Sequence, residues 1–371
     1  MLIATGIGVG QYLNNNPQFE FDFFPALEIL GVVGLIMIVL EGALDLELSK
    51  EKRPLIVKAT LVAFLGIITS ILAIGGLFYY LLNLSWGESM LYAAPLAVIS
   101  SAIVIPSIAS LGDYDKEFLI YESCISDILG IMIFYLIVGS LETGNVTSSI
   151  GEFTISLLIT IVVSLAVGIG LVLLFKFLNA KVKLFFFISI LILIYAIGKM
   201  LHLSPLILIL AFGLILKNHK LVFRGPLKDI MTRMEFKKME IDFHIITRET
   251  AFILRTFFFI VLGLTIDVQS LIGLDVLIIS LMAFILILLT RIGIVNSLVK
   301  EAGSVVNYIA PRGLITILLF YSIPTDLQSE LFKPSIILWV VIITSVYMAY
   351  GLIKSGSKAE LRETNATVVD A

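Results

Sequence analysis

The stretch YAAPLAVISSAIVIPSIASL, Tyr92 to Leu111, carries no formally charged residue, yet it contains two prolines, Pro95 and Pro106. It has about the length that a helix needs to cross the hydrocarbon core of a bilayer. A proline inside a helix, however, removes a backbone hydrogen bond and crowds the preceding turn. Broken backbone at membrane depth is tolerated only where the freed groups line a cavity or coordinate something. The stretch is therefore expected to be an interrupted membrane helix, with Ser100 and Ser101 as hydroxyl ligands near its middle. A second stretch, VVNYIAPRGLITILL from Val305 to Leu319, repeats the device with Pro311, Arg312 and Gly313. The bland alternative for both is an ordinary proline kink.

Working outward, apolar segments recur at 25–48, 55–83, 88–111, 116–141, 150–178, 184–200, 203–217, 247–266, 273–298, 304–323 and 332–354. A shorter one at 2–13 makes a twelfth. The expected class is an all-α, polytopic membrane protein of about 11–12 transmembrane helices. Composition agrees: 59% of the 371 residues are hydrophobic and 14% charged, against about a quarter charged in soluble domains. Mean hydropathy is +1.08. A net charge of -3 leaves no basic footprint for nucleic acid. One cysteine, Cys124, cannot close an intrachain disulfide, and the three histidines show no metal-ligand spacing. No cofactor is indicated. Met1 to Leu13 lacks the basic start and cleavage site of a signal peptide.

Lysines and arginines fall in alternate loops, at 50–53, 116, 176–183, 217–238, 300 and 354–362. Cytoplasmic loops hold that excess, so both termini are expected in the cytoplasm of a cell-membrane protein, with 355–371 a short polar tail. Within the loop at 218–246, Leu227, Ile230, Met231 and Met234 recur at helical spacing beside basic residues. That pattern predicts a surface helix at the interface; a solvated linker is the alternative.

A charge in a membrane span costs about 2.5–3.5 kcal/mol at the centre by insertion scales, so it needs a partner or a function. Asp127 lies eleven residues beyond Lys116, or about 16 Å deep along a helix. Ser123 is one turn below on the same face and Ser126 adjacent, which surrounds the carboxylate with the oxygens that hard cations prefer. Glu122 points some 140° away from Asp127 at about 100° per residue. Arg291, nine residues before Lys300, reaches a comparable depth and is expected to neutralise one of the two carboxylates permanently, Glu122 being preferred over Asp127. That would leave Asp127 to titrate. Arg312 would offset the negative ends of facing half-helices. The bland reading is a buried ion network that only braces helices, and it suits Glu122 and Arg291 better than Asp127. Glu41 and Arg255 also lie in apolar segments, without an assignable partner.

The interrupted segments are the third and the tenth. The helix after the first carries Asp127, and the helix before the second carries Arg291. Such mirroring is expected of inverted repeats whose broken helices meet at the midplane. The chain reads as one transmembrane domain: a first repeat at about 1–141, a linker helix at about 150–178 and a second repeat at about 184–354.

Seven stretches in order then resemble the monovalent cation:proton antiporter superfamily, in its sodium/proton exchanger branch. They are MIVLEGALDLEL (37–48), VISSAIVIPSIASL (98–111), YESCISDILGI (121–131), LHLSPLILILAFGLILKN (201–218), LRTFFFIVLGLTID (254–267), TRIGIV (290–295) and APRGLITILL (310–319). The resemblance implies that Asp127 is the ion- and proton-binding aspartate and that Ser100 and Ser101 belong to the unwound crossing helix. It also implies that Arg291 braces Glu122, that Arg312 is the arginine of the second crossing helix, and that the protein is a homodimer. Ser126 stands where the exchangers usually have Asn, Ala102 replaces a usual Pro or Thr, and the second Asp of electrogenic relatives is absent. The family's first helix has no counterpart and its second is short.

The expected function is secondary transport that exchanges a monovalent cation, Na⁺ with K⁺ and Li⁺ left open, for protons in a lipid bilayer. A single titrating Asp127 favours electroneutral exchange. The principal alternative is a truncated, non-transporting or regulatory membrane protein. An intramembrane aspartyl protease would need two facing aspartates, and a channel would need a filter; neither is evident, so no enzymatic activity is expected.

Overall fold

The computed structural model describes residues 2–14, 24–144, 146–177, 183–200, 205–219, 233–265 and 273–369. The regular structure of those residues is helical, with no strand among them. The helices are α1 (Leu2–Asn14), α2 (Phe24–Asp45), α3 (Arg53–Leu82), α4 (Trp86–Ala97), α5 (Ser101–Ser107), α6 (Asp113–Thr143) and α7 (Val146–Phe177). They continue with α8 (Lys183–Met200), α9 (Pro205–Lys217), α10 (Arg233–Thr265), α11 (Leu274–Leu298), α12 (Leu314–Tyr321) and α13 (Ser335–Val369). Short 3₁₀ turns occupy Ser304–Tyr308 and Thr325–Leu327. Spans long and apolar enough to cross a membrane include Arg53–Leu82, Trp86–Ser107, Asp113–Thr143, Leu274–Leu298 and Ser335–Ser355.

The chain forms two compact units, each drawn from both halves of the sequence: residues 1–49 with 145–268, and residues 50–144 with 269–371. In the second unit α3 packs on α4, α6 and α11, α5 lies on α6, and α11 lies on α13. The span that opened the sequence reading is broken, but not at its prolines. Pro95 lies inside α4 and Pro106 inside α5, and the extended segment falls between them at 98–100. The helix begins with a capping box, Ser85 accepting from the Glu88 amide at 3.3 Å and Glu88 accepting from the Ser85 amide at 2.8 Å. It stops at Ala97 where the next amides find partners on other elements: Ile99 N–H donates to Ser126 Oγ at 3.0 Å and Ser100 N–H to the Pro311 carbonyl at 3.0 Å. Gly130 on α6 allows this approach, because a Cβ there would sit 2.2 Å from Val98 Cγ2. The second broken span runs extended at 309–313, between the 3₁₀ turn and α12, and here Pro311 lies within the break itself.

In the first unit α10 packs on α1 and α2, and α9 packs on α2, α7 and α8. Glu41 and Arg255, left unpaired by the sequence, face each other from α2 and α10 at 3.4 Å. One turn further along α2, Asp45 meets His244 at 2.9 Å. Asn218, after α9, receives the Leu48 amide at 2.6 Å and donates to the Leu46 carbonyl at 2.9 Å, which ties down the end of α2. One expectation is corrected. The surface helix predicted within 218–246 and the span predicted at 247–266 are, from Arg233 onward, one continuous helix; Leu227, Ile230 and Met231 lie outside the described residues. The polar tail from residue 355 continues α13 as helix to Val369.

Candidate ion-binding site

Asp127 projects from the middle of α6 into the break between α4 and α5, where it is 6% exposed. Its Oδ2 accepts from the Ser101 hydroxyl, in a short contact, and from the Ser101 amide at 3.3 Å. Its Oδ1 is buried without a partner, as is the hydroxyl oxygen of Ser100. The neighbouring Ser126 Oγ is committed to the Ile99 amide. The residues expected to surround Asp127 are therefore brought to one place, with one exception. The Ser123 hydroxyl donates back to the Leu119 carbonyl at 2.7 Å, so it serves its own helix rather than the aspartate.

Glu122, on the other side of α6, is gripped by Arg291 from α11. Arg291 Nη1 bonds Glu122 Oε1 in a short contact and Nη2 bonds Oε2 at 3.0 Å, the fork geometry that makes arginine–carboxylate pairs strong. The same Nη2 donates to the Val306 carbonyl at 3.0 Å, ahead of the second break. Arg312 lies in that break. Its Nε donates to the Leu96 carbonyl at 2.6 Å and its Nη1 to the Ala310 carbonyl at 3.1 Å. One guanidinium thus satisfies a carbonyl left over by the end of α4 and another left over by the second interruption. Among the described residues of this unit, the buried formal charges are Glu122, Asp127, Arg291 and Arg312, two of each sign.

Some supports were not visible in the sequence. Thr344 on α13 accepts the Arg312 amide at 3.1 Å and Thr316 accepts the Gly313 amide at 3.4 Å, so hydroxyls replace the helical bonds that the break forgoes. Gly313 passes so close to the first break that a Cβ there would lie 2.7 Å from Ser100 Oγ. An isolated threonine in an apolar helix is a weak signal, since most bond only to their own helix.

Two interrupted helices crossing beside a buried carboxylate, with apolar helices and no strand among the described residues, are the fold of a polytopic membrane protein. The sequence profile described as "Sodium/hydrogen exchanger, transmembrane" matches residues 1–350, and the chain belongs to that family. Among solved structures it is similar to the sodium proton antiporter MjNhaP1 from Methanocaldococcus jannaschii at pH 8, with TM-score 0.69, 21% identity, and coverage of 97% of this chain and 90% of that one. A three-dimensional electron-microscopy map of the same antiporter matches with TM-score 0.62 and 18% identity, over 91% of this chain and 84% of that one. Comparison with curated proteins returns no match.

Proposed function

We propose that the protein exchanges a monovalent cation, Na⁺ in the first instance, for protons, and that Asp127 is the group for which the two compete. The observation that carries this reading is the pair of buried, unpartnered oxygens, Asp127 Oδ1 and Ser100 Oγ, at the point where both helices are unwound. A buried polar atom without a partner is costly, and two such oxygens at the first break suit a cation that ligates oxygen. Ser101 would be a third ligand, while Ser126 holds the backbone in place.

The buried charges give the exchange its expected stoichiometry. With Asp127 ionised, the two carboxylates and two guanidiniums sum to zero. A bound proton and a bound monovalent cation each add one positive charge, so both loaded forms carry the same charge and the exchange is electroneutral. Glu122, held by Arg291 through both oxygens, acts as a brace. The alternation of basic loops supports cytoplasmic termini, and the family resemblance supports a homodimer.

The test is Na⁺-driven proton movement in everted vesicles. Asp127→Asn should abolish it while the protein still folds, and Li⁺ or K⁺ in place of Na⁺ reads the selectivity. Full residual exchange in the variant would remove Asp127 from its role, and no exchange in the wild type would favour a non-transporting protein.

A further inference from the structure

Beside the crossing, α3, α6, α11 and the two breaks line a cavity that Asp127 does not reach. Its polar lining consists of Ser70, Glu122, Ser126, Thr290, Arg291 and Arg312. It offers about 20 Å³ for water centres, against the ~10–15 Å³ that one water needs. Two donors at its wall lack acceptors. Arg291 Nε is buried and without a partner, since the two terminal nitrogens go to Glu122 and Val306. Ser126 Oγ accepts from Ile99, which leaves the serine's own hydrogen to the cavity. Acceptors stand opposite in the Glu122 carboxylate and in Thr290, which already takes a bond from the Ser70 hydroxyl at 3.3 Å while its own hydrogen is used on the Leu286 carbonyl.

We propose that this cavity is a binding site for ordered water, and that the water positions the first break. A water accepting from Arg291 Nε and from the Ser126 hydroxyl, and donating toward Glu122 and Thr290, would make the two to four bonds typical of a buried water. An empty cavity would leave a guanidinium N–H unpaired in a low-dielectric interior. The consequence falls on Ser126. With its hydrogen drawn into the cavity, its oxygen is left pointing at the Ile99 amide, and the extended backbone beside Asp127 is held open. Ser126 is thus a positioning residue, acting through water.

Gly66 makes this testable. It lines the cavity, and a Cβ added there would meet nothing within 4 Å. Gly66→Ala adds a Cβ that meets no neighbour, and Gly66→Val extends further into the space. The first measurement is cryo-electron microscopy of the full chain in lipid nanodiscs, at a resolution that shows water. Density is expected within hydrogen-bonding reach of Arg291 Nε and Ser126 Oγ in the wild type, and should be absent from the filled variant. The second is thermal melting with Na⁺-driven proton flux across a pH series. The filled variant should melt below the wild type, because displacing the water leaves Arg291 Nε and the Ser126 hydroxyl unpaired. Its flux should fall about five- to tenfold, the order expected for losing one net hydrogen bond, and its pH profile should move. A dry wild-type cavity would overturn the proposal, and so would wild-type flux and pH profile in a variant whose water is gone. The flux measurement rests on the exchange reading; the density and melting do not, so failure of either idea can be told from failure of the other.

Discussion

The amide of Ser100 donates to the carbonyl of Pro311 at 3.0 Å, so the two interrupted helices are joined through their main chains where they cross. Neither group could do this in an intact helix, where the amide would be spent on the carbonyl four residues back. The breaks therefore satisfy each other, and a displacement of one is felt by the other. Gly313 sets the distance. Gly313→Ala puts a methyl 2.7 Å from Ser100 Oγ and 2.6 Å from Ile103 Cδ1, and overpacking of this kind costs about 1–3 kcal/mol. The variant should melt lower and show a raised KM for Na⁺, because Ser100 must move away. An unchanged KM would show that Ser100 does not contribute to cation binding.

Arg291 and Glu122 make a second prediction. Removing one partner of a buried pair strands the other at about 3–5 kcal/mol, so Arg291→Ala should lower the yield of folded protein. Combining it with Glu122→Gln removes the stranded charge and should restore part of the yield. Melting and size-exclusion profiles of the three variants form the cycle, and no rescue would mean that the loss comes from the Val306 contact instead.

Thr344 gives a third. Thr344→Val keeps the shape but removes the acceptor of the Arg312 amide, leaving a buried donor unpaired at about 1–3 kcal/mol. Stability and turnover should both fall. Ser345→Ala, next to it, removes only a bond within its own helix to the Val341 carbonyl, and should behave as wild type. Equal effects from both changes would show that the hydroxyl of Thr344 has no special place.

Proline marks the two interruptions in the sequence, although the first lies between its prolines, beside Ser100 and Ser101. Pro95 withdraws one amide from the last part of the helix, the donor for the Leu91 carbonyl, and the helix nevertheless carries on to Ala97. What ends the helix is the supply of outside partners for Ile99 and Ser100, and a long-range supply leaves no local mark. The same holds for Glu41 and Arg255. Each was recognisable as needing a partner, yet nothing in the spacing of residues 214 apart pairs them. Ser123 failed for the opposite reason. Its helical face was correctly inferred, but a serine hydroxyl in an apolar helix finds the carbonyl four residues back before it finds a neighbour.

Competition at Asp127 sets the sign of a fourth prediction. If one carboxylate takes either a proton or Na⁺, raising the pH removes the competitor and lowers the apparent KM for Na⁺. By mass action the change approaches about tenfold per pH unit where the protonated form dominates, and it vanishes where little of that form remains. Maximal turnover should change less than KM. Initial rates in proteoliposomes across a matrix of pH and Na⁺ concentration decide the matter, and a KM independent of pH would place proton and cation on separate groups.

The last prediction concerns charge movement, and it rests on which buried groups can change their charge. Glu122 is bound through both oxygens by Arg291, and a guanidinium does not release its proton in proteins. Arg312 is committed to the Leu96 and Ala310 carbonyls and balances the remaining carboxylate. Among the described buried charges of this unit, Asp127 is then the one proposed to alternate between charged and neutral. A cycle that carries one cation one way and one proton the other moves no net charge. Its rate should not follow an imposed membrane potential. Were Glu122 to titrate as well, two protons could move per cation, and the potential would bias the cycle by about 2.3 kcal/mol per net charge per 100 mV. Purified protein in liposomes, with a potassium diffusion potential set by valinomycin and Na⁺-driven proton flux as the readout, separates these outcomes. Equal rates at zero and at imposed potential are expected. A rate that tracks the potential, or a current on a supported membrane, would require a second titrating group, and Glu122→Gln would then be expected to abolish the voltage dependence while sparing exchange.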